Sequence, residues 1–219
     1  MNIRPIILAL SASAMISACS DDDYNDRMML SDLVSIQASD ASAGTTFTFQ
    51  RYDDSPVITL VDPKLNIKEE LVGHRALLYY YPESGQAYES GNISATGLTI
   101  VNSDTAVVRP IARYDWDASP VYLNSIWRSG RYLNFRMRLD YSDKPRHFGL
   151  VVDSLTLTST EPQLYLVHNL NGAPDNFLRE CYASFDISKI WQQPTCKSIA
   201  VHIKDSNLNK DTYTFTKKQ

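Results

Sequence analysis

Apolar and polar positions alternate with period two along most of this chain, and that alternation predicts strands. Leu33–Gln37, Thr46–Arg51, Val57–Val61, Arg75–Tyr81, Leu98–Val101 and Ala106–Ile111 carry it. Turn-forming clusters separate them, among them Asp53-Asp54-Ser55-Pro56, Asp62-Pro63 and Pro82-Glu83-Ser84-Gly85. Asn66–Gly73 is the helical candidate, one or two turns closed by Gly73. Short strands with one small helix suit a small closed barrel. A second block opens near Tyr114. Its clearest strand is Tyr132–Tyr141, with Leu133, Phe135, Met137, Leu139 and Tyr141 on one face and Asn134, Arg136, Arg138 and Asp140 on the other. His147–Asp153, Ser154–Thr158, Gln163–Asn169, Arg179–Asp186, Lys197–Lys204 and Thr212–Thr216 follow, with a single helical turn at Ser188–Trp191. That series predicts an antiparallel β-sandwich. The expected fold is therefore all-β, a small barrel over residues 29–111 followed by a sandwich over 112–219.

The first residues break this pattern. Arg4 precedes the apolar run Ile6-Ile7-Leu8-Ala9-Leu10, which is too short to span a bilayer and reads as a secretory signal over residues 1–18. Its exit, Ile16-Ser17-Ala18-Cys19, resembles the bacterial lipobox, in which the cysteine is acylated and becomes the mature N-terminus. Acyl chains on Cys19 would hold the protein on a membrane, each buried methylene contributing about 0.8 kcal/mol. The following Ser20-Asp21-Asp22-Asp23 resembles the lipoprotein export signal of Bacteroidota, which directs acylated proteins to the outer face of the outer membrane. Like charges also extend a chain, so residues 19–28 form an acidic tether in either case.

Charge and composition narrow the partners. The chain of 219 residues has a formal net charge of −4, and removing the signal takes away Arg4 and no acidic residue, leaving −5. Mild acidity argues against nucleic-acid binding. The 13 tyrosines favour strands. Cys181 and Cys196 are left after acylation and form a candidate disulfide in an oxidising envelope. Their phases disagree: Cys181 falls in step with Ala183, Phe185 and Ile187, whereas Cys196 is out of step with Ile199, Val201 and Ile203. A bridge would need a bulge, a loop position or a sheet crossing.

Within the second block, Ser125-Ile126-Trp127-Arg128-Ser129-Gly130-Arg131-Tyr132-Leu133-Asn134-Phe135, Lys144-Pro145-Arg146-His147-Phe148, Leu166-Val167-His168-Asn169 and Ala183-Ser184-Phe185-Asp186-Ile187-Ser188 resemble the NigD-like lipoproteins of Bacteroidota. Gly73-His74-Arg75-Ala76-Leu77-Leu78 fits the same family's N-terminal half. The resemblance implies an OB-type barrel followed by a β-sandwich behind a lipoprotein signal. It implies no reaction.

Local motifs for catalysis are missing: no Gly-x-Ser-x-Gly, no His-Glu-x-x-His, no glycine-rich phosphate loop and no Cys-x-x-Cys. His74, His147, His168 and His202 are far apart in sequence, and a lone strand histidine is more often a hydrogen-bonded structural residue than a ligand. No metal site and no cofactor is expected. Tyr114 and Trp116, beside Asp115 and Asp117, form a candidate sugar-binding loop, although such rings more often fill cores. Arg136 and Arg138 on one strand face form a candidate anion-attracting stripe, against the plainer alternative of a solvated face paired with acidic residues. The expected role is a non-catalytic binding or assembly module, lipid-anchored at the cell surface, for an envelope protein or a glycan. The alternatives are a bacteriocin-associated immunity or accessory lipoprotein, and a hydrolase with an interdomain site.

Overall fold

The computed structural model describes residues 28–113, 119–141, 147–169 and 177–218. Cys19, the Ser20–Asp23 run, Tyr114 and Trp116 lie outside them.

Strands β1 (Leu30–Asp40), β2 (Gly44–Phe49), β3 (Ile58–Asp62), β4 (Arg75–Pro82) and β5 (Gly91–Ile100) close into a barrel in the order β1-β2-β3-β5-β4. All neighbours are antiparallel except β3 and β5. Alternation sends Leu30, Val34, Phe47, Leu60, Leu78 and Tyr80 inward, where they form one apolar core with Ile36, Ile58, Ala76 and Ile93. The predicted helix shrinks to one 3₁₀ turn, Glu69–Leu71, ahead of Gly73 with its φ of +89°. Asp62 closes the barrel's turn: its carboxylate accepts the N–H of Lys64, Leu65 and Ala95.

β7 (Val107–Arg109), within the stretch Ala106–Ile111 expected as the barrel's last strand, pairs in parallel with Val151–Asp153 of one sandwich sheet, and β6 (Asn102–Thr105), just before that stretch, pairs in parallel with Ala183–Asp186 of the other. One sheet has the order β6-β12-β9-β8, from β8 (Tyr122–Ser129), β9 (Tyr132–Asp140) and β12 (Leu178–Asp186). The other runs β14-β13-β11-β10-β7, from β10 (His147–Asp153), β11 (Gln163–Asn169), β13 (Ser198–His202) and β14 (Thr212–Thr216). The single helical turn α1 (Ser188–Trp191) lies where predicted. The expected strand at 154–158 is instead a turn. Asp153 Oδ1 accepts the Leu155 N–H at 3.1 Å, and the Asp153 carbonyl accepts the Thr156 N–H at 2.9 Å, which folds the backbone out of the sheet.

Between the sheets lies the larger core, in which Leu123, Leu133, Phe135, Met137, Phe185 and Val201 are fully buried. Phe135 meets Phe185 edge to face at 5.9 Å. Burial of each such side chain contributes about 1.5–3 kcal/mol.

Candidate functional site

Barrel and sandwich meet along a seam in which Leu33, Leu77 and Val101 of the barrel side pack against Trp127 and Tyr182 of the sandwich. Strand parity explains it. Leu33 and Leu77 point out of the barrel, while Trp127 and Tyr182 sit opposite Asn134 and Arg136 on the outer face of the sandwich sheet. Two arginines cross the seam in opposite directions. Arg75 leaves the barrel, is 3 % exposed, and donates from Nε to Ser184 Oγ at 3.0 Å, from Nη1 to Ser35 Oγ at 3.2 Å and from Nη2 to Asn134 Oδ1 at 3.4 Å, beneath the Tyr132 ring. All three acceptors are neutral, and burial pulls the guanidinium down to about 10. Arg128 leaves the sandwich for Asp54 on the barrel's β2–β3 loop, stacking on Trp191 on the way.

On one side of the seam two clefts adjoin, with Leu77 and Tyr182 lining both, and together they form a groove. The first, of about 300 Å³, is lined by Ile100, Val101, Tyr141, Arg179 and Cys181 among others. The second, of about 460 Å³, is lined by Asp32, Arg51, Trp127 and Arg136, with Gln50 and Ser125. Asp32 shares the inward phase of Leu30 and Val34, yet its carboxylate reaches the cleft and accepts the Tyr80 hydroxyl at 3.0 Å. Burial pushes the Asp32 carboxyl up, against the pull of the Tyr80 hydrogen bond and of Arg51. The Tyr80 phenol is pushed up in turn by burial and by Asp32. Arg51 lies 3.7 Å over the Tyr88 ring.

Of the residues singled out from sequence, Arg136 lines this groove and Arg138 lies outside it. The stripe is partly neutralised across the strands: Arg136 Nε donates to Glu180, which stands in register with Arg138. Arg138 itself lies 5.6 Å over the Tyr122 ring. No disulfide joins Cys181 and Cys196. Cys181, on β12 opposite Met137, packs against the sandwich core, while the Cys196 thiol donates to the Ser198 carbonyl ahead of β13 in the other sheet. The expected disulfide is not formed; each sulfur is absorbed by packing in its own sheet. Among the described residues no group of His, Cys, Asp and Glu converges as a metal site. Sequence reasoning missed Asp32, Arg51, Trp127 and Tyr182, because only the docking of two domains brings them together.

Residues 112–217 match the NigD-like C-terminal beta sandwich domain. The C-terminal half of this chain is a NigD-like domain. Solved structures share the whole two-part fold. A protein of unknown function from Bacteroides vulgatus matches with a TM-score of 0.65 at 19 % identity, over 88 % of this chain and 91 % of that one. A NigD-like immunity protein from Bacteroides caccae gives 0.58 at 20 %, over 85 % and 91 %. A candidate lipoprotein from Bacteroides fragilis gives 0.63 at 14 %, over 88 % and 99 %. Identities this low establish the fold alone. Comparison with curated proteins finds no match. To the 460 Å³ cleft the NigD-like domain supplies Ser125, Trp127, Ser129, Arg136 and Tyr182, and β1, β4, the end of β2 and the residues after it supply the rest.

Proposed function

We propose that this chain is a surface lipoprotein of the outer membrane, moored through acylated Cys19, that acts as a non-catalytic binding or assembly module. Its ligand surface is the groove along the domain seam, and its partner is an envelope protein or a glycan. The lipobox-like Ile16–Cys19 segment and the acidic Asp21–Asp23 run support the mooring and the address. A fold shared with a candidate lipoprotein is in keeping with it.

The observation that carries the binding role is that two clefts adjoin at the domain seam. Leu77 and Tyr182, one residue from each domain, line both, and rings and hydrogen-bonding side chains share the remaining lining.

The test is capture by the full-length acylated chain of envelope proteins and arrayed glycans, compared with Trp127→Ala and Arg51→Ala. Loss of a captured partner in both variants, with folding intact by circular dichroism, supports the groove. Capture that neither variant changes overturns it. Protease shaving of intact cells tests the address separately, and a protein left untouched there overturns surface display. A second reading, an immunity or accessory role beside a secreted toxin, rests on the Bacteroides caccae neighbour named as a NigD-like immunity protein. Protection of producing cells from such a toxin would favour it.

A further inference from the structure

We propose that the 460 Å³ cleft of the groove takes an acidic saccharide, with Trp127 against the sugar ring, Arg51 on the carboxylate or sulfate, and Asp32 on a ring hydroxyl. This rests on the groove being the ligand surface and adds what that ligand is.

Arg51 carries the first part. Its guanidinium is exposed at the rim, and no ion pair within 4 Å joins it to a carboxylate among the described residues. The plane is nevertheless held in place, 3.7 Å over the Tyr88 ring. Tyr88 has a φ of +64°, a left-handed backbone that a bulky residue keeps only where its surroundings impose it. A strained tyrosine therefore holds a cation with its N–H edge unspent. A planar carboxylate or a sulfate is the group that a guanidinium edge meets with two hydrogen bonds. Arg136, on the opposite wall, already donates to Glu180 and is the lesser contributor.

Asp32 and Trp127 carry the second part. Asp32 accepts one hydrogen bond, from Tyr80 to Oδ2, so a half-buried carboxyl faces the cleft with acceptor capacity to spare. Such a group reads hydroxyls. Trp127 projects from the outer face of the sandwich sheet into the same cleft and presents half-buried aromatic surface, which suits the apolar face of a pyranose. Gln50, Ser31 and Ser125 add neutral partners around it. A net charge of −4 over the chain disfavours a polyanion that must cover a wide surface, and favours a short anionic sugar gripped at one arginine.

The experiment is calorimetric titration of the full chain with an oligogalacturonate, a heparin-derived tetrasaccharide and a neutral cello-oligosaccharide, at low and high salt. Expected is binding of at least one acidic probe, weakening several-fold with added salt, lost by tenfold or more in Arg51→Ala and partly kept in Arg51→Lys. Trp127→Ala weakens acidic and neutral probes alike. Equal affinity for the neutral probe, or an Arg51→Ala variant that binds the acidic ones unchanged, overturns this inference and leaves the groove reading standing. Absence of binding by all three, together with protein capture that ignores the groove variants, overturns both.

Discussion

Arg128 grips Asp54 with both ends of its guanidinium, Nη1 to Oδ1 at 2.9 Å and Nη2 to Oδ2 at 2.7 Å, and the two residues belong to different domains. The arginine side chain is 3 % exposed and the aspartate's 67 %. The pair is therefore asymmetric. Its buried half also donates to the Gly130 carbonyl at 2.6 Å and rests on Trp191, so removing Asp54 leaves a desolvated cation with that carbonyl and the Asp53 carboxylate 3.8 Å away, whereas removing Arg128 leaves only a solvated carboxylate and a hole. Asp54→Ala should lower stability by about 1–3 kcal/mol in denaturant titration, and a cycle with Arg128→Met should show coupling of about 1 kcal/mol or more. Additive single effects would show that the pair does not bind the domains.

The same pair sets a pH dependence. The hydrogen bond from Arg128 holds the Asp54 carboxyl below its usual value of 3.8. A depressed carboxylate contributes stability that is present above 3.8 and lost as pH falls through its folded-state value. Asp32 has the opposite sign: burial raises it, so its charged form works against the fold at neutral pH. Asp32→Asn should therefore be more stable than the parent at pH 7, with the gain fading as pH falls through the raised folded-state value and gone below about 3.8. Thermal melts across that range check both directions.

Arg75 is the larger risk. A guanidinium that is 3 % exposed, with Ser184, Ser35 and Asn134 as its acceptors, leaves three buried polar groups short of a donor when it is removed. Arg75→Ala should cost about 2–4 kcal/mol, and the loss should appear as two separated thermal transitions as the domains uncouple. Tyr132→Phe, which keeps the ring 4.2 Å from the guanidinium carbon and removes only the hydroxyl that accepts from Ser35 at 3.4 Å, should cost less, about 0.5–1 kcal/mol.

Two glycines should respond differently to alanine. At Gly44, with φ of +79°, a Cβ would lie 2.1 Å from the Asp62 carbonyl oxygen, which is backbone and cannot yield. At Gly130, with φ of +56°, it would meet the Gln50 side chain at 1.9 Å. Gly130→Ala should therefore be partly rescued by Gln50→Ala, and Gly44→Ala by no side-chain change. Both substitutions carry backbone strain of about 1 kcal/mol.

Thiol labelling checks the cysteine assignment. Cys181 is half-buried and Cys196 buried, with the Cys196 thiol pushed up by burial. Native protein should label at Cys181 before Cys196, and denaturant without reductant should make both of these thiols reactive. A chain that labels only after reduction would restore the bridge.

Much of the fold was legible because barrel and sandwich strands bury one face each, and period two records that directly. Thr212–Thr216 and Ser188–Trp191 coincide with the expected elements. β8 was not legible. A bulge between Leu123 and Ser125 breaks its alternation, so Leu123 and Ile126 both reach the core at odd spacing and no pattern survives. Ser154–Thr158 misled in the other direction: it alternates well, but Asp153 captures the backbone and turns it. The groove was invisible for a different reason. Asp32, Arg51, Trp127 and Tyr182 each look ordinary in their own strand, and their convergence depends on a docking angle that local sequence does not encode. Even so, the Trp127–Gly130 segment stood out by its family wording, and it proves to contain two groove residues, Trp127 and Ser129, and the buried end of the interdomain pair.

The placement of β6 and β7 has a practical consequence for anyone cutting this protein in two. The family boundary at residue 112 lies after both strands, although one completes each sheet of the sandwich. An excised piece starting there would lose the flanking protection of β12 and β10 and present two bare ladders of backbone donors and acceptors to other chains. A fragment starting at Val101 keeps its flanks covered and is the natural unit of expression.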